Sequence, residues 1–329
     1  MPNSISDVAG IKVGHYTNQD AGTGCTVILC PDGAVPGVDV RGSAPGTHET
    51  DLMRPGHMIR NIHGIALSGG SAFGLETASG VMGYLEENGI GFPAGPSVVP
   101  IVPAAIIFDL GFITHKIRPG KHEGYQAAST ANNRSVDQGN IGAGTGATVG
   151  KILGMKNATK GGLGTYSLNI NGITVGALAI VNAFGDVVNP DTGSIIAGPR
   201  MDNNQGFVNT TEFITSSNYH DRANPNPTNT TLVVVATDAI LTKEETNKLA
   251  QNGQNGLSLA IRPSHTTGDG DVVFALSTGK SKKDVDMRQL GVAASVAVSN
   301  AIIRGVLYAK SLGGLPSALD VNPQLRITK

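Results

Sequence analysis

The run Leu232-Val233-Val234-Val235-Ala236 follows directly on Asn226-Pro227-Thr228-Asn229-Thr230-Thr231, where a polar, Asn-rich arm spanning residues 189–229 ends. Five apolar residues without a polar interruption read as a buried strand, and a buried strand needs neighbours that cover it. Other segments supply them. Residues 11–14 and 24–29 read as strands joined by a polar, Gly-containing turn, a candidate hairpin. Residues 62–67 and 101–110 are further strands, with Pro103 placing the start of the second in a loop or at an edge. Residues 72–88 carry Leu75, Ala78, Val81, Met82 and Leu85 at helical spacing and stop at Gly89. Asn171-Gly172 between the apolar segments 166–170 and 173–181 is the strongest hairpin signal in the chain. Thr242 and Glu245 form a capping box for a helix over 242–250. A strand over 272–276 and a long, mostly buried helix over 288–311 follow, and a short helix is expected over 127–133. Sheets then helices, twice over, predict an α/β fold of layered sheets flanked by helices rather than a repeated βαβ winding.

Composition narrows the function. The chain has 24 Lys and Arg against 25 Asp and Glu, with no basic run, so it offers no field for nucleic acid or an acidic membrane, and a small substrate fits better. Charged residues are 15% and there are 45 Gly in 329 residues, so many turns bring backbone close to backbone in what is expected to be a single domain, 1–329. Cys25 and Cys30 have the spacing of neither a redox pair nor a zinc pair. The start Met1-Pro2-Asn3-Ser4 lacks a secretory pattern, and no apolar run approaches ~18 residues. These point to the cytoplasm, without a membrane anchor.

Several motifs invite chemistry. The loop from Gly142 to Lys151 fails as a phosphate loop, because Thr145 and Ile152 stand where Gly and Ser or Thr are needed. Gly142, Gly144 and Ala147 match a loosened dinucleotide pattern but lack the acidic residue about twenty positions on. Lys151 is either a solvated lysine or a cation beside converging backbone N–H groups. Ser71, between a strand and a helix, fails as a nucleophile elbow because Phe73 replaces Gly; the Ser68–Gly74 segment is instead a helix start that aims N–H groups at an anion. Residues 37–51 form a loop of small residues that presents Arg41, His48 and Glu49. Asp269 and Asp271 could hold a turn, join a metal site, or orient a nucleophile's proton. Thr230 is either a strand residue or that nucleophile.

Taken together, Asp39-Val40-Arg41-Gly42, Leu67-Ser68-Gly69-Gly70-Ser71-Ala72-Phe73-Gly74-Leu75, Gly144-Thr145-Gly146-Ala147 with Lys151, Val181-Asn182, Asn229-Thr230-Thr231 with Val235-Ala236-Thr237-Asp238-Ala239, and His265-Thr266 with Asp269-Gly270-Asp271 resemble a family. It is the self-processing amidohydrolase family of L-aminopeptidase/D-amidase-esterase, β-peptidyl aminopeptidases and nylon-oligomer endohydrolase. The resemblance spans nearly the whole chain. It implies a four-layer α-β-β-α sandwich, like that of the amino-terminal nucleophile hydrolases with a different connectivity. It implies a cut between Asn229 and Thr230 into chains 1–229 and 230–329, and hydrolysis of small peptides, amino acid amides or ω-amino acid oligomers by the freed Thr230. Asn182 is then the oxyanion donor, Lys151 the cation beside the nucleophile, and Asp269 and Asp271 the acids that orient it. Arg41 and Ser71 fall in segments expected to meet substrate. Phe108 departs from the family's frequent Tyr, so either activity is lower or a water or another hydroxyl, such as Thr267, replaces that phenol. No cofactor or metal is implied, and homo-oligomers of processed units are the family's usual state. Two readings stay open beside this one: acyl transfer like that of ornithine acetyltransferase, and an uncleaved binding protein.

Overall fold

The computed structural model describes residues 3–202, 206–216 and 229–325. Asn226, Pro227 and Thr228, with the rest of 217–228 and 203–205 in the polar arm, lie outside the described residues. The strands that matter are β1 (Lys12–Asn18), β2 (Thr23–Val40), β3 (Ile62–Ser68), β4 (Ala104–Ile106), β5 (Gly162–Ile170), β6 (Ile173–Asn182), β7 (Thr230–Thr237) and β8 (Val272–Ser277). The main helices are α1 (Thr77–Glu87), α2 (Lys121–Ser129), α3 (Lys243–Ala260) and α4 (Met287–Leu307). Hydrogen-bonded neighbours run β5, β6, β7, β8, β2, β3, β4, with β1 also on β2. Most pairs are antiparallel, but β7 and β8 are parallel, as are β3 and β4.

One strand makes two sheets of this ladder. The second half of β2 pairs with β8 through Val35 to Val40, and its first half pairs with β3 through Cys25 to Leu29. Register shifts between Leu29 and Ala34, where Gly33 takes a φ of +83°, a left-handed conformation that glycine adopts without a steric penalty. Three apolar clusters then separate four layers. Alternate residues of β7 face opposite ways, as the two-residue strand period requires. Val233 and Val235 pack with Leu249, Leu257, Ala294 and Ala297 of α3 and α4, whereas Leu232, Val234 and Ala236 pack with Ile28, Ile65 and Leu67 of the other sheet. Cys25, Val27 and Leu29 meet Ala78, Val81 and Ala127 of α1 and α2. The order is helices, sheet, sheet, helices, as expected. Each fully buried Val or Leu contributes about 1.5–3 kcal/mol relative to exposure.

Several local expectations hold. The β1–β2 and β5–β6 hairpins form, with Asn171 and Gly172 at φ of +52° and +87°, as a primed turn demands. Thr242 and Glu245 cap α3 reciprocally. Others are corrected. The short helix is Lys121–Ser129 and not 127–133, because its buried face is made of Gly124, Ala127 and Ala128, which pack closely without bulky periodic residues. A Cβ at Gly124 would sit 2.1 Å from the Thr77 carbonyl, and one at Gly80 would sit 1.9 Å from that of Lys121, so α1 and α2 meet backbone to backbone. Residues 37–40 belong to β2 and not to a loop. Helix α3 runs on from Ala250 to Ala260. The described residues of the arm carry regular structure: Ile195–Ala197 pairs with Asp186–Val188, and the helix Thr210–Thr215 is tied down by the Thr210 N–H donating to the Asp186 carboxylate at 2.8 Å. Finally, α4 is long and apolar enough to cross a membrane by length and mean hydropathy alone, 1.7, against the expectation that no run comes near that length; its apolar side packs on the sheet.

Candidate active site

Thr230 opens β7 and Asn182 closes β6, and the antiparallel register sets them opposite each other. On the other side of Thr230, the parallel neighbour β8 is entered through Asp269-Gly270-Asp271, and Asn229 bridges Asp269. The Asn229–Thr230 peptide is thus gripped from both flanks. The Asn229 carbonyl accepts the Gly270 N–H at 2.9 Å and the Thr230 hydroxyl at 2.5 Å. Thr230 is 4% exposed, so little water competes for these bonds. Glycine at 270 is required by closeness: a Cβ there would lie 2.7 Å from Thr230 Oγ1 and 2.7 Å from the Ala44 carbonyl oxygen. Gly42 answers a similar need, since its Cβ would meet the Asp269 carbonyl oxygen at 2.3 Å.

The two acids have different tasks. Asp271 Oδ1 accepts the Thr231 N–H at 2.7 Å, fixing the start of the strand beside Thr230, while Oδ2 accepts the His265 N–H and lies 3.0 Å from its ring Nδ1. Asp269 Oδ2 accepts the N–H and hydroxyl of Thr266 at 2.8 and 2.6 Å. Burial first, and then the neighbouring Asp271 charge, push the Asp269 carboxyl up to about 6, although the Thr266 bonds and Lys151 pull the other way.

Lys151 donates to Asn182 Oδ1 at 2.9 Å and to its backbone carbonyl at 3.0 Å. Burial pushes the Lys151 ammonium down to about 7, opposed by the attraction of Asp269. Asn182 Oδ1 also accepts the Thr148 N–H at 3.0 Å, so two donors fix which end of the amide is oxygen. The Nδ2 end is left as the donor, and the Phe108 carbonyl stands 3.5 Å from it. Chemically this is a hydroxyl against a carbonyl that two donors polarise, with further N–H donors, a cation and two acids around it, an arrangement that can support nucleophilic attack.

Thr230, Asn229, Asn182, Lys151, Asp269 and Asp271 therefore form one cluster. Phe108 enters through its backbone carbonyl. Thr267 does not take the place of the missing phenol: it is exposed, and its neighbour Thr266 supplies the hydroxyl to Asp269. Arg41 meets the cluster through its backbone, the N–H donating to the Asp271 carbonyl at 3.1 Å, while its side chain reaches Asp39 at 2.8 Å and is 40% exposed. Ser71 takes a φ of +55° and donates its N–H to the Ile107 carbonyl, next to Phe108, so its link to Thr230 is indirect. Sequence reasoning quoted Gly42, Gly270 and Thr266 within the family segments but gave them no role, and it did not single out Thr148. It also missed Lys160, which has no exposed surface and donates to the carbonyls of Gly144, Ala147 and Gly161, holding the glycine-rich loop that carries Thr148.

The model of peptidase family S58 matches residues 3–318. An uncharacterised aminopeptidase of Mycobacterium bovis is 39% identical, covering 98% of each chain. A 6-aminohexanoate-oligomer endohydrolase of Kocuria sp. is 28% identical over 90% of this chain and 84% of its own. Among solved structures, the L-aminopeptidase D-Ala-esterase/amidase of Ochrobactrum anthropi, described as a variant of the Ntn hydrolase fold, superposes with a TM-score of 0.71 at 18% identity, covering 96% and 89% of the two chains. A β-aminopeptidase of Burkholderia sp. superposes with a TM-score of 0.70 at 22% identity, covering 100% and 96%.

Proposed function

As this chain belongs to peptidase family S58, and is thus a hydrolase of amide bonds, we propose that it is made as an inactive precursor that cuts itself between Asn229 and Thr230. The observation that carries this reading is the Asn229 carbonyl held between the Thr230 hydroxyl and the Gly270 N–H. Thr230 Oγ adds to the Asn229 carbonyl carbon and the developing oxyanion keeps the Gly270 N–H. The C–N bond then breaks as the nitrogen takes up a proton, leaving an ester that water hydrolyses to an Asn229 carboxylate and a free Thr230 amine. That amine, with a reference pKa of ~7.7–8.0, accepts the hydroxyl proton in later cycles. A substrate acyl group then passes to Thr230 Oγ and from there to water, with Asn182 Nδ2 donating to the oxyanion.

We read the substrates as amino-terminal residues of small peptides, amino acid amides or ω-amino acid oligomers, the last in keeping with the relative that hydrolyses 6-aminohexanoate oligomers. Cys25 and Cys30 are buried thiols whose pKa values burial pushes up to about 12, which fits a reduced, cytoplasmic protein. Intact mass tests the proposal. Wild type is expected as two fragments, 1–229 and 230–329, and Thr230→Ala as one species of 33.7 kDa. A single 33.7 kDa species for both would overturn the self-cutting reading. Assay of the cut protein on amino acid amides, β-peptides and nylon-type oligomers, with and without an acceptor amine, then separates hydrolysis from acyl transfer.

A further inference from the structure

His265 stands behind the acid pair and touches neither Thr230 nor the bond before it, yet its placement is unusual. It takes a φ of +57°, a left-handed conformation that among non-glycine residues Asn, Asp and His adopt most readily. Both ring nitrogens are engaged. Nδ1 lies 3.0 Å from Asp271 Oδ2, and Nε2 lies 3.1 Å from the Ser258 hydroxyl on α3. The ring therefore bridges the Asp271 carboxylate and the Ser258 hydroxyl, one through each nitrogen. The Ser258 hydroxyl in turn accepts from the Ser264 hydroxyl at 3.2 Å. The chain of contacts runs from Ser264 through Ser258 and the His265 ring to Asp271, whose other oxygen accepts the Thr231 N–H.

We propose that His265 is a positioning residue: its ring clamps the Asp271 carboxylate so that Asp271 aligns Thr231, and through it Thr230, for the cut and for turnover. The inference rests on the reading of Thr230 as nucleophile. Asp271 is 2% exposed, so water cannot readily replace a lost partner. Without the ring, Oδ2 keeps only the His265 backbone N–H, and the carboxylate is free to rotate away from Thr231.

Two substitutions separate the ring from the backbone. His265→Gly relieves the left-handed conformation but removes the donor. His265→Asn also tolerates that conformation, and its Nδ2 can stand where Nδ1 stood. Both variants are expected to melt close to wild type. His265→Gly should cut itself and turn over roughly 10-fold or more slowly, with the loss in kcat and not KM, while His265→Asn should return to within about 3-fold of wild type. A folded His265→Gly that cuts and turns over at the wild-type rate would overturn the proposal, as would a folded His265→Asn no better than His265→Gly. A wild-type protein that stays uncut would fail differently, removing the nucleophile reading and this inference with it.

Discussion

A single methyl group at position 270 is the most direct probe of the geometry around the bond before Thr230. Gly270→Ala would place Cβ 2.7 Å from Thr230 Oγ1 and 2.7 Å from the Ala44 carbonyl oxygen, whereas ordinary contact begins at 3.4 Å. The backbone at 270 is not left-handed, so the effect is steric and not conformational. The Ala44 side is backbone and yields little, since Ala44 donates its own N–H to the Asp269 carbonyl. The hydroxyl must give way by about 0.7 Å, moving off the line to the Asn229 carbonyl. Misplacement of a reacting atom by ~1 Å can cost on the order of 10²-fold, so the cut should slow by roughly 10- to 100-fold, alongside about 1–3 kcal/mol of lost stability from overpacking. Gly268→Ala is the matched control, because a Cβ there meets nothing within 4 Å. Precursor and fragments are followed by denaturing gel and intact mass after a synchronised refold, with melting temperature measured in parallel. A folded Gly270→Ala that processes as fast as Gly268→Ala would refute the claim that Gly270 makes room for the nucleophile.

The pH dependence of the cut follows from two shifted groups. Asp269 gives up its proton only above about 6 and Lys151 loses its cation above about 7, so a step needing carboxylate and ammonium together should rise through the first value and fall through the second. A rate that is flat between about pH 5 and about pH 9 would contradict this, and in Lys151→Met the falling limb should vanish. Asn182→Ala, which removes the Nδ2 donor, should lower kcat by about 10²–10³-fold with KM little changed; steady-state assay on an amino acid amide reads it, and an unchanged kcat would exclude Asn182 as oxyanion donor.

What could be read in advance was what is local. The Asn171-Gly172 turn, the Thr242–Glu245 cap and the apolar run of β7 each carry their cause within a few residues, and all three formed. Helix α2 was misplaced because its packing face is Gly124, Ala127 and Ala128, small residues whose contribution lies in how near another backbone comes. The ordering of the polar arm rests on Thr210 meeting Asp186, a contact that no pattern along the chain announces. In the site, the resemblance brought Thr230, Asn182, Lys151, Asp269 and Asp271 together, but the need for glycine at 42 and 270 shows only in space, where the Asp269 carbonyl and the Thr230 hydroxyl lie against them. The choice of Thr266 over Thr267 is a matter of one residue's direction in a tight loop, which the left-handed His265 sets.

Strands β7 and β8 lie side by side, with β6 on one flank and β2 on the other. Both flanking strands precede Asn229 in the chain and both inner strands follow it, so severing the bond leaves two pieces woven through each other. Neither can depart without unzipping the middle of the sheet. The proposed cut would therefore change the molecularity of unfolding: an uncut chain unfolds to one piece, a cut one to two that diffuse apart. The mature form's melting point should depend on its concentration, and refolding from separated pieces should become second order where the precursor's is first order. The assembled enzyme would then hold in its shape a history that its two strands of polypeptide, once parted, recover only by meeting again.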